Sequence, residues 1–222
     1  MTLTCEQLLQ KHPQAWQQAT VHPFLQQCHS GIIQTRQFNT WLVQDYLFVL
    51  ELTRLFARGL ANAPPAHFDV LLGGLSAIKE ELNWFQTKAT ERQLELNAER
   101  QLTCQAYCEY MYSIAEMPYP VQATAIWAIE FAYNQAWQLP GAMPEPYAEF
   151  ANRWGSPEFT EYVKDLEREA DEALQAASEA TRHQAESAFL NIASLEKDFW
   201  QMAFEEGRGE KGRGDALTQG KK

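Results

Sequence analysis

Apolar residues recur every three or four positions along most of this chain, which is the spacing of one face of an α-helix. Proline- and glycine-rich breaks interrupt the pattern, and no stretch shows the clear alternation of a β-strand. The pattern predicts helical segments at residues 4–18, 35–61, 66–90, 98–115, 121–138, 145–153, 157–178 and 182–205. Because the connections between them are short, we expect antiparallel neighbours in one all-α, single-domain helical bundle over residues 1–205.

Several short patterns mark where these helices begin and where the chain breaks. The pairs with the spacing of a helix N-terminus are Thr4–Gln7, Thr181–Gln184 and Ser156–Pro157. His22-Pro23 and the region of Gly31 predict breaks. Residues 206–222 are rich in glycine and charged residues, which predicts a disordered tail.

Three of the apolar stripes carry an acidic residue at their centre, where a leucine would be expected. Asp45, Glu130 and Glu196 occupy these positions on three separate predicted helices. Lysine and arginine fall mostly on the opposite faces, so few inward cations are available. A single inward acid is most often structural, but a buried unpaired carboxylate costs several kcal/mol or becomes neutral. Three such residues therefore predict a polar site inside the bundle.

Aromatic side chains accompany these acids on the same or neighbouring stripes. They are Trp41, Phe48, Tyr107, Tyr110, Tyr133, Phe199 and Trp200. An aromatic stripe is most often plain core. Here the combination of tyrosine hydroxyls and carboxylates suits a flat heterocycle that is stacked on its faces and hydrogen-bonded at its edge.

The composition excludes several classes of protein. The net charge of −11 at pH 7 is unsuited to nucleic acid, because a phosphate backbone attracts clustered Lys and Arg. Apolar runs are too short for a transmembrane helix, and residues 1–10 lack the regions of a secretory signal. The four cysteines form no CxxC pair, so we expect reduced thiols. These features predict a cytoplasmic protein that binds neither nucleic acid nor membrane.

The sequence also argues against a metal or another cofactor. Di-iron helical bundles use a Glu-x-x-His spacing, and none of the five histidines has an acid three residues before it. Glu81, beside Ile78 and Phe85, is a fourth acid that could face inward, yet ligation by oxygen alone fits a redox iron site poorly. No glycine-rich phosphate loop is present. We predict no metal and no cofactor.

Five segments resemble the TenA/thiaminase II family in their order and spacing. They are HPFLQQ at 22–27, FNTWLVQDYLF at 38–48, AYCEYMY at 106–112, EFAYNQAW at 130–137 and EKDFWQMAF at 196–204. The resemblance implies an all-helical, haem-oxygenase-like fold and a homo-oligomer, a dimer or a tetramer. It implies a small aminopyrimidine substrate, because family members act on thiamin or its pyrimidine fragments and release 4-amino-5-hydroxymethyl-2-methylpyrimidine.

The resemblance also implies roles for individual residues. Asp45 matches the acid that hydrogen-bonds the aminopyrimidine edge, and Glu196 matches a glutamate that shuttles a proton. Tyr107 matches a tyrosine that lines the pyrimidine pocket, and Phe199 matches part of its aromatic wall. The other predicted substrate-binding residues are Phe48, Tyr133 and Trp154.

Some positions depart from the thiaminase type. Glu130 stands where that type carries a cysteine nucleophile, and Phe48 and Trp154 stand where it has tyrosines. With ELNWF at 81–85, these replacements resemble the eukaryote-type branch that lacks the cysteine. The implied activity is hydrolysis of formylamino- or aminopyrimidine salvage intermediates.

Two carboxylates in one apolar pocket can divide the work of activating water and protonating the leaving amine. We expect Glu130 and Glu196 to form this catalytic pair, and the sequence leaves open which is the base. The alternatives are a thiaminase II that uses Cys104 or Cys108, a non-catalytic pyrimidine-binding protein, and a metal-dependent oxygenase on the same fold.

Overall fold

In a computed structural model of the protein, residues 3–206 are described and form ten α-helices, with no β-strand among them. The helices are α1 (Cys5–Lys11), α2 (Pro13–Thr20), α3 (Pro23–His29), α4 (Thr35–Asn62), α5 (Phe68–Glu91), α6 (Leu102–Ile114), α7 (Tyr119–Gln138), α8 (Ala148–Trp154), α9 (Pro157–Ala176) and α10 (Glu179–Glu205). The predicted all-α class is confirmed. None of these helices has the length and apolar composition to cross a membrane. From residue 207 onward, the predicted disordered tail lies outside the described residues.

Helix α7 is the central helix of the bundle. It packs against α9 and α10 and also contacts α2, α4 and α8. Between Val121 and Trp137 only Phe131 and Gln135 are partly exposed, so the burial extends beyond the predicted stripe. A helix that is apolar on nearly every side is stable only when neighbours surround it. Glu130 is consequently held in the interior.

Helix α5 comes very close to its neighbours at Gly74. A β-carbon at this position would clash with Phe56 of α4 and with the hydroxyl of Tyr162 on α9. Ile78 and Phe85 continue the same buried face at helical spacing. Glu81 lies between them on that face, so the packing of α5 turns its carboxyl toward the interior.

The predicted helix at 4–18 is wrong in one respect, because Pro13 ends one helix and begins another. Proline has no N–H to continue the ladder, yet its fixed φ suits the first position of a new helix. The predicted breaks at His22-Pro23 and near Gly31 are confirmed, but the short helix α3 between them was not predicted. There the ring Nδ1 of His22 accepts a hydrogen bond from the Phe24 N–H at 3.1 Å and caps the helix.

The helix starts were predicted with mixed success. The capping box of Thr4 with Gln7 and the cap at Ser156 are confirmed. The predicted cap at Thr181 is wrong, because α10 begins earlier. Ser178 is its cap, and its Oγ accepts a hydrogen bond from the Thr181 N–H at 3.1 Å.

Candidate active site

A narrow cavity with an empty volume of about 250 Å³ lies between α4, α5, α7 and α8. Its wall is formed by Asp45, Phe48, Val49, Leu52, Glu81, Ile129, Glu130, Tyr133 and Trp154. Three carboxyl groups therefore meet in a wall that is otherwise apolar or aromatic. The space inside it that a water molecule could occupy is only about 10 Å³, room for about one water, so a ring compound enters only if the side chains of the wall move apart.

Helical spacing explains how the wall is assembled. On α4, the wall residues from Asp45 to Leu52 follow one another at intervals that keep them on one face. On α7, Glu130 and Tyr133 are three residues apart and share a face in the same way. Trp154 is the last residue of α8, and its carbonyl accepts a hydrogen bond from the Asn134 amide of α7 at 2.7 Å. This bond ties the end of α8 to the cavity.

Asp45 is completely buried, and only half of its carboxyl is satisfied. The Tyr133 hydroxyl donates a hydrogen bond to Oδ1. Oδ2 is buried and has no partner within residues 3–206. Burial raises the pKa of Asp45 well above its usual value, the Tyr133 hydrogen bond opposes this, and the charges of Glu81, Glu196 and Glu130 raise it further. Such an oxygen is available to a ligand donor.

Glu130 and Glu81 have different surroundings on the same wall. Burial, followed by the charges of Glu81 and Glu196, raises the pKa of Glu130 well above its usual value, and no hydrogen bond reaches its carboxyl from the described chain. The Trp154 indole donates a hydrogen bond to Glu81 Oε1 at 2.8 Å. Burial raises the pKa of Glu81 too, but the charge of Arg153 and the indole bond counteract it.

Glu196 lies next to the wall and is not one of the residues that form it. Tyr107 donates a hydrogen bond to its Oε1 at 2.5 Å, while Oε2 is buried without a partner within residues 3–206. Burial raises the pKa of Glu196 to about 8, with the Tyr107 bond opposing. The rings of Tyr107 and Phe199 contact Phe48 of the wall, with centroids 4.7 and 5.7 Å from its ring. Glu196, Tyr107 and Phe199 thus form a second layer behind Phe48.

Comparison with known proteins identifies the family. Residues 9–206 match the model of the TENA/THI-4/PQQC family. The chain belongs to this family. It is 32% identical over 210 residues to a probable bifunctional TENA-E protein of Glycine max, covering 89% of this chain and 92% of that one. It is 27% identical to an aminopyrimidine aminohydrolase of Halalkalibacterium halodurans, covering 90% and 94% of the two chains.

The structural comparison agrees with this assignment. The solved structure of a TenA homologue from Pyrococcus furiosus superposes with a TM-score of 0.85 at 30% identity, covering 90% of this chain and 98% of that one. A putative TenA-like thiaminase from Sulfolobus solfataricus has a TM-score of 0.78 at 17% identity, which shows the shared fold. The predicted haem-oxygenase-like bundle of the TenA family is confirmed.

The eight site residues predicted by sequence fall into two groups in this TenA-family chain. Those on the cavity wall are Asp45, Phe48, Glu130, Tyr133 and Trp154. Those in the second layer are Glu196, Tyr107 and Phe199. The prediction omitted Glu81 from the site, although its spacing from Ile78 and Phe85 already placed it on a buried face. Its inward direction was therefore predictable from helical spacing alone.

The cysteines that could support a thiaminase mechanism do not reach the TenA cavity. All four cysteines are free and buried. The wall contains no cysteine, and the Cys104 thiol instead donates a hydrogen bond to the Gln44 carbonyl at 3.5 Å. Within residues 3–206, no group of three His, Cys, Asp or Glu side chains is arranged to hold a metal ion.

A larger depression lies between the start of α4 and residues 94–101, with an empty volume of about 1120 Å³. It is open to solvent and is lined mainly by exposed or half-buried polar side chains. None of the three buried acids of the predicted site borders it. We therefore assign the candidate site to the smaller, acid-lined cavity.

Proposed function

We propose that this chain is a thiamin salvage hydrolase of the TenA family. It hydrolyses aminopyrimidine degradation products, the formylamino or amino derivatives, and releases 4-amino-5-hydroxymethyl-2-methylpyrimidine. The observation that carries the proposal is Asp45, a fully buried acid with one unpartnered oxygen in a small aromatic cavity. The relative named as an aminopyrimidine aminohydrolase supports the substrate class. The TENA-E relative and the glutamate at position 130 favour the eukaryote-type branch.

Recognition of the ring follows from the chemistry of this wall. When ionised, Asp45 Oδ2 accepts a hydrogen bond from an exocyclic amino group. When protonated, it donates one to a ring nitrogen. The rings of Phe48 and Tyr133 are nearly parallel, at 3°, with centroids 6.5 Å apart, and offer flat surfaces for stacking. Tyr133 also holds Oδ1, which fixes the orientation of the carboxyl.

Hydrolysis of a formamide requires a base that activates water and an acid that protonates the leaving amine. Like charges at close range cannot all ionise, so neighbouring carboxyls divide into a proton donor and a proton acceptor. Glu130 on the wall is one member of this pair. The predicted second member, Glu196, lies one layer back and stays a prediction.

A substrate panel with product identification tests the proposal. The purified protein is given thiamin, the aminopyrimidine and its formylamino derivative, and each product is identified by mass. We expect the formylamino compound to have the highest kcat/KM. Tight binding of the aminopyrimidine without turnover of any compound would instead establish a binding protein. Thiamin cleavage that alkylation abolishes would instead establish a cysteine-dependent thiaminase.

A further inference from the structure

Glu81 is a third carboxyl on the cavity wall, and it has structural support that Glu130 lacks. Its Oε1 is held by the Trp154 indole at 2.8 Å, and Trp154 is itself part of the wall. The side chain therefore has a fixed orientation at the cavity. Glu81 is the one residue of helix α5 in this wall. The close packing of α5 at Gly74 brings the helix near enough for the Glu81 carboxyl to reach the cavity.

A positive charge is kept near Glu81. The Arg153 guanidinium lies over the Trp84 ring, 4.7 Å from its centroid. Trp84 is fixed in turn, because its indole donates a hydrogen bond to Glu149 at 2.8 Å and Glu149 pairs with Lys88 at 2.9 Å. These contacts connect α5 to α8. They hold the cation beside Trp84, and its charge lowers the pKa of Glu81.

We propose, resting on the hydrolase function above, that Glu81 is the general base of the reaction and Glu130 its general acid. Trp154 is a positioning residue that holds Glu81 in place. In this proposal Glu81 replaces Glu196 in the catalytic pair expected from the sequence. Glu196, in the second layer, raises the pKa of Asp45 and Glu130 and takes no proton from water.

The assignment of roles follows from which acid ionises at least cost. Burial disfavours the anion of all three wall acids, and the charge of Glu81 further raises the pKa of both Asp45 and Glu130. Only Glu81 has both a nearby cation and an indole donor to stabilise its charge. Glu81 is therefore the anion, and its charge helps to raise the pKa of Glu130, which keeps that residue protonated.

Water attacks the formyl carbon while Glu81 takes one of its protons, and a new C–O bond forms. The C–N bond then breaks, and the amine nitrogen receives the proton of Glu130. The products are formic acid, which ionises to formate by losing a proton to solvent, and the free aminopyrimidine, whose amine leaves as ammonia in a separate hydrolysis that gives the hydroxymethyl compound. Transfer of the proton from Glu81 to Glu130 restores the starting state, so no oxidant, reductant or metal is required.

The first test compares Glu81→Gln with Glu80→Gln. Both variants make the same chemical change on adjacent residues of α5, but Glu80 is exposed. We expect Glu81→Gln to lower kcat on the formylamino substrate by about 100-fold or more, the usual contribution of a general base. Affinity for the aminopyrimidine product and the activity of Glu80→Gln should change little. If Glu81→Gln keeps kcat near the wild-type value while the wild type is active, Glu81 is not the base and the hydrolase function survives.

The second test uses pH profiles of Arg153→Gln and Trp154→Phe. Each removes a group that favours the ionised form of Glu81, so its pKa rises and the acid limb of the kcat/KM profile moves to higher pH. Arg153 is not part of the wall, which separates this effect from loss of substrate contacts. A lower rate with an unmoved acid limb in both variants would overturn the assignment.

If the wild type hydrolyses none of the compounds, the proposed function is wrong. The ionisation states of Glu81 and Glu130 can then still be tested by spectroscopy. Infrared difference spectra at neutral pH compare the wild type with each glutamine variant. We expect Glu81→Gln to lose an ionised carboxylate band and Glu130→Gln to lose a protonated carboxylic acid band. The reverse pattern would overturn the division of roles.

Discussion

Two glutamates of this bundle, Glu186 and Glu130, differ in their hydrogen-bonding partners and in the direction in which the fold shifts their pKa. Glu186 on α10 is 15% exposed, and its carboxyl accepts from Lys11 at 2.5 Å and contacts His12 at 2.7 Å. The Lys11 hydrogen bond lowers its pKa, with burial opposing and His12 assisting. Glu130 has no such partner among residues 3–206, and burial raises its pKa.

This difference shows that the chain can place cations beside a partly buried acid, so the unpaired acids of the cavity do not result from a lack of lysine or histidine. Where an acid only joins helices, as Glu186 joins α10 to α1, this chain supplies a lysine and a histidine. Around the cavity it supplies hydroxyls, an indole and apolar surface. The charge of Arg153 lowers the pKa of Glu81, but no cation of residues 3–206 lowers that of Asp45 or Glu130. Leaving a buried carboxyl without a cation is costly unless a ligand or a proton takes that place. The comparison therefore marks the cavity as the functional region.

The largest effect is expected from exchanging the two glutamates for glutamine. Glu130→Gln removes the proton donor and should lower kcat on the formylamino substrate by about 10²–10⁴-fold. Glu186→Gln, the matched control, should leave kcat unchanged. Steady-state kinetics checks both. Equal activity of the two variants would remove the functional distinction between the regions.

The second prediction concerns the pH dependence of stability. The pKa of Glu196 is raised to about 8 in the folded protein, against about 4.3 in an unfolded chain. Protonated Glu196 therefore contributes fully to the free energy of unfolding below the pKa of the unfolded chain. This contribution is lost as the pH rises through about 8. Each unit of difference is worth about 1.4 kcal/mol, so a few kcal/mol are involved.

Denaturant unfolding at pH 5 and pH 8 measures this effect. We expect Glu196→Gln to reduce the loss of unfolding free energy between these pH values and to be more stable than the wild type at pH 8. The exposed Asp198→Asn on the same helix is the control. An unchanged pH slope in Glu196→Gln would show that Glu196 does not titrate in this range.

The third prediction concerns recognition by Asp45. Asparagine keeps the size of the side chain but puts an amide in place of the carboxyl, so Asp45→Asn alters the hydrogen bond to the ring and should weaken aminopyrimidine binding. A hydrogen bond between neutral groups contributes about 0.5–1.5 kcal/mol, or about 2- to 10-fold in Kd. Calorimetry with the aminopyrimidine and with the same ring lacking the amino group checks this. An equal loss for both ligands would indicate damage to the cavity and no specific contact.

The smallest effect is expected at the paired acid. Glu186→Gln should lower the free energy of unfolding by less than about 1 kcal/mol at pH 7, because Lys11 is largely exposed. The pKa of Glu186 is lowered in the fold, so its contribution is present at neutral pH and is lost as the pH falls through the folded pKa. Wild type and variant should therefore converge in acid. A constant difference would indicate lost packing.

Periodicity predicted most of the fold and the inward direction of Asp45, Glu130 and Glu196. It could not predict how far along the bundle each acid lies, since this depends on how neighbouring helices slide and tilt. The wall therefore contains Glu81 while Glu196 lies behind Phe48. Trp154 was reached only through family resemblance, because the short helix α8 has little periodicity of its own. Helix α3 was missed because its cap is a histidine, which is an unusual cap.

The central claim is that the unpaired acids of the cavity receive one small ring. A crystal structure with the aminopyrimidine product bound tests it most directly. We predict the ring between α4, α5 and α7, with Asp45 Oδ2 within hydrogen-bond distance of its amino or ring nitrogen. A ring bound elsewhere, or one in the cavity that touches none of Asp45, Glu81 and Glu130, would contradict the account.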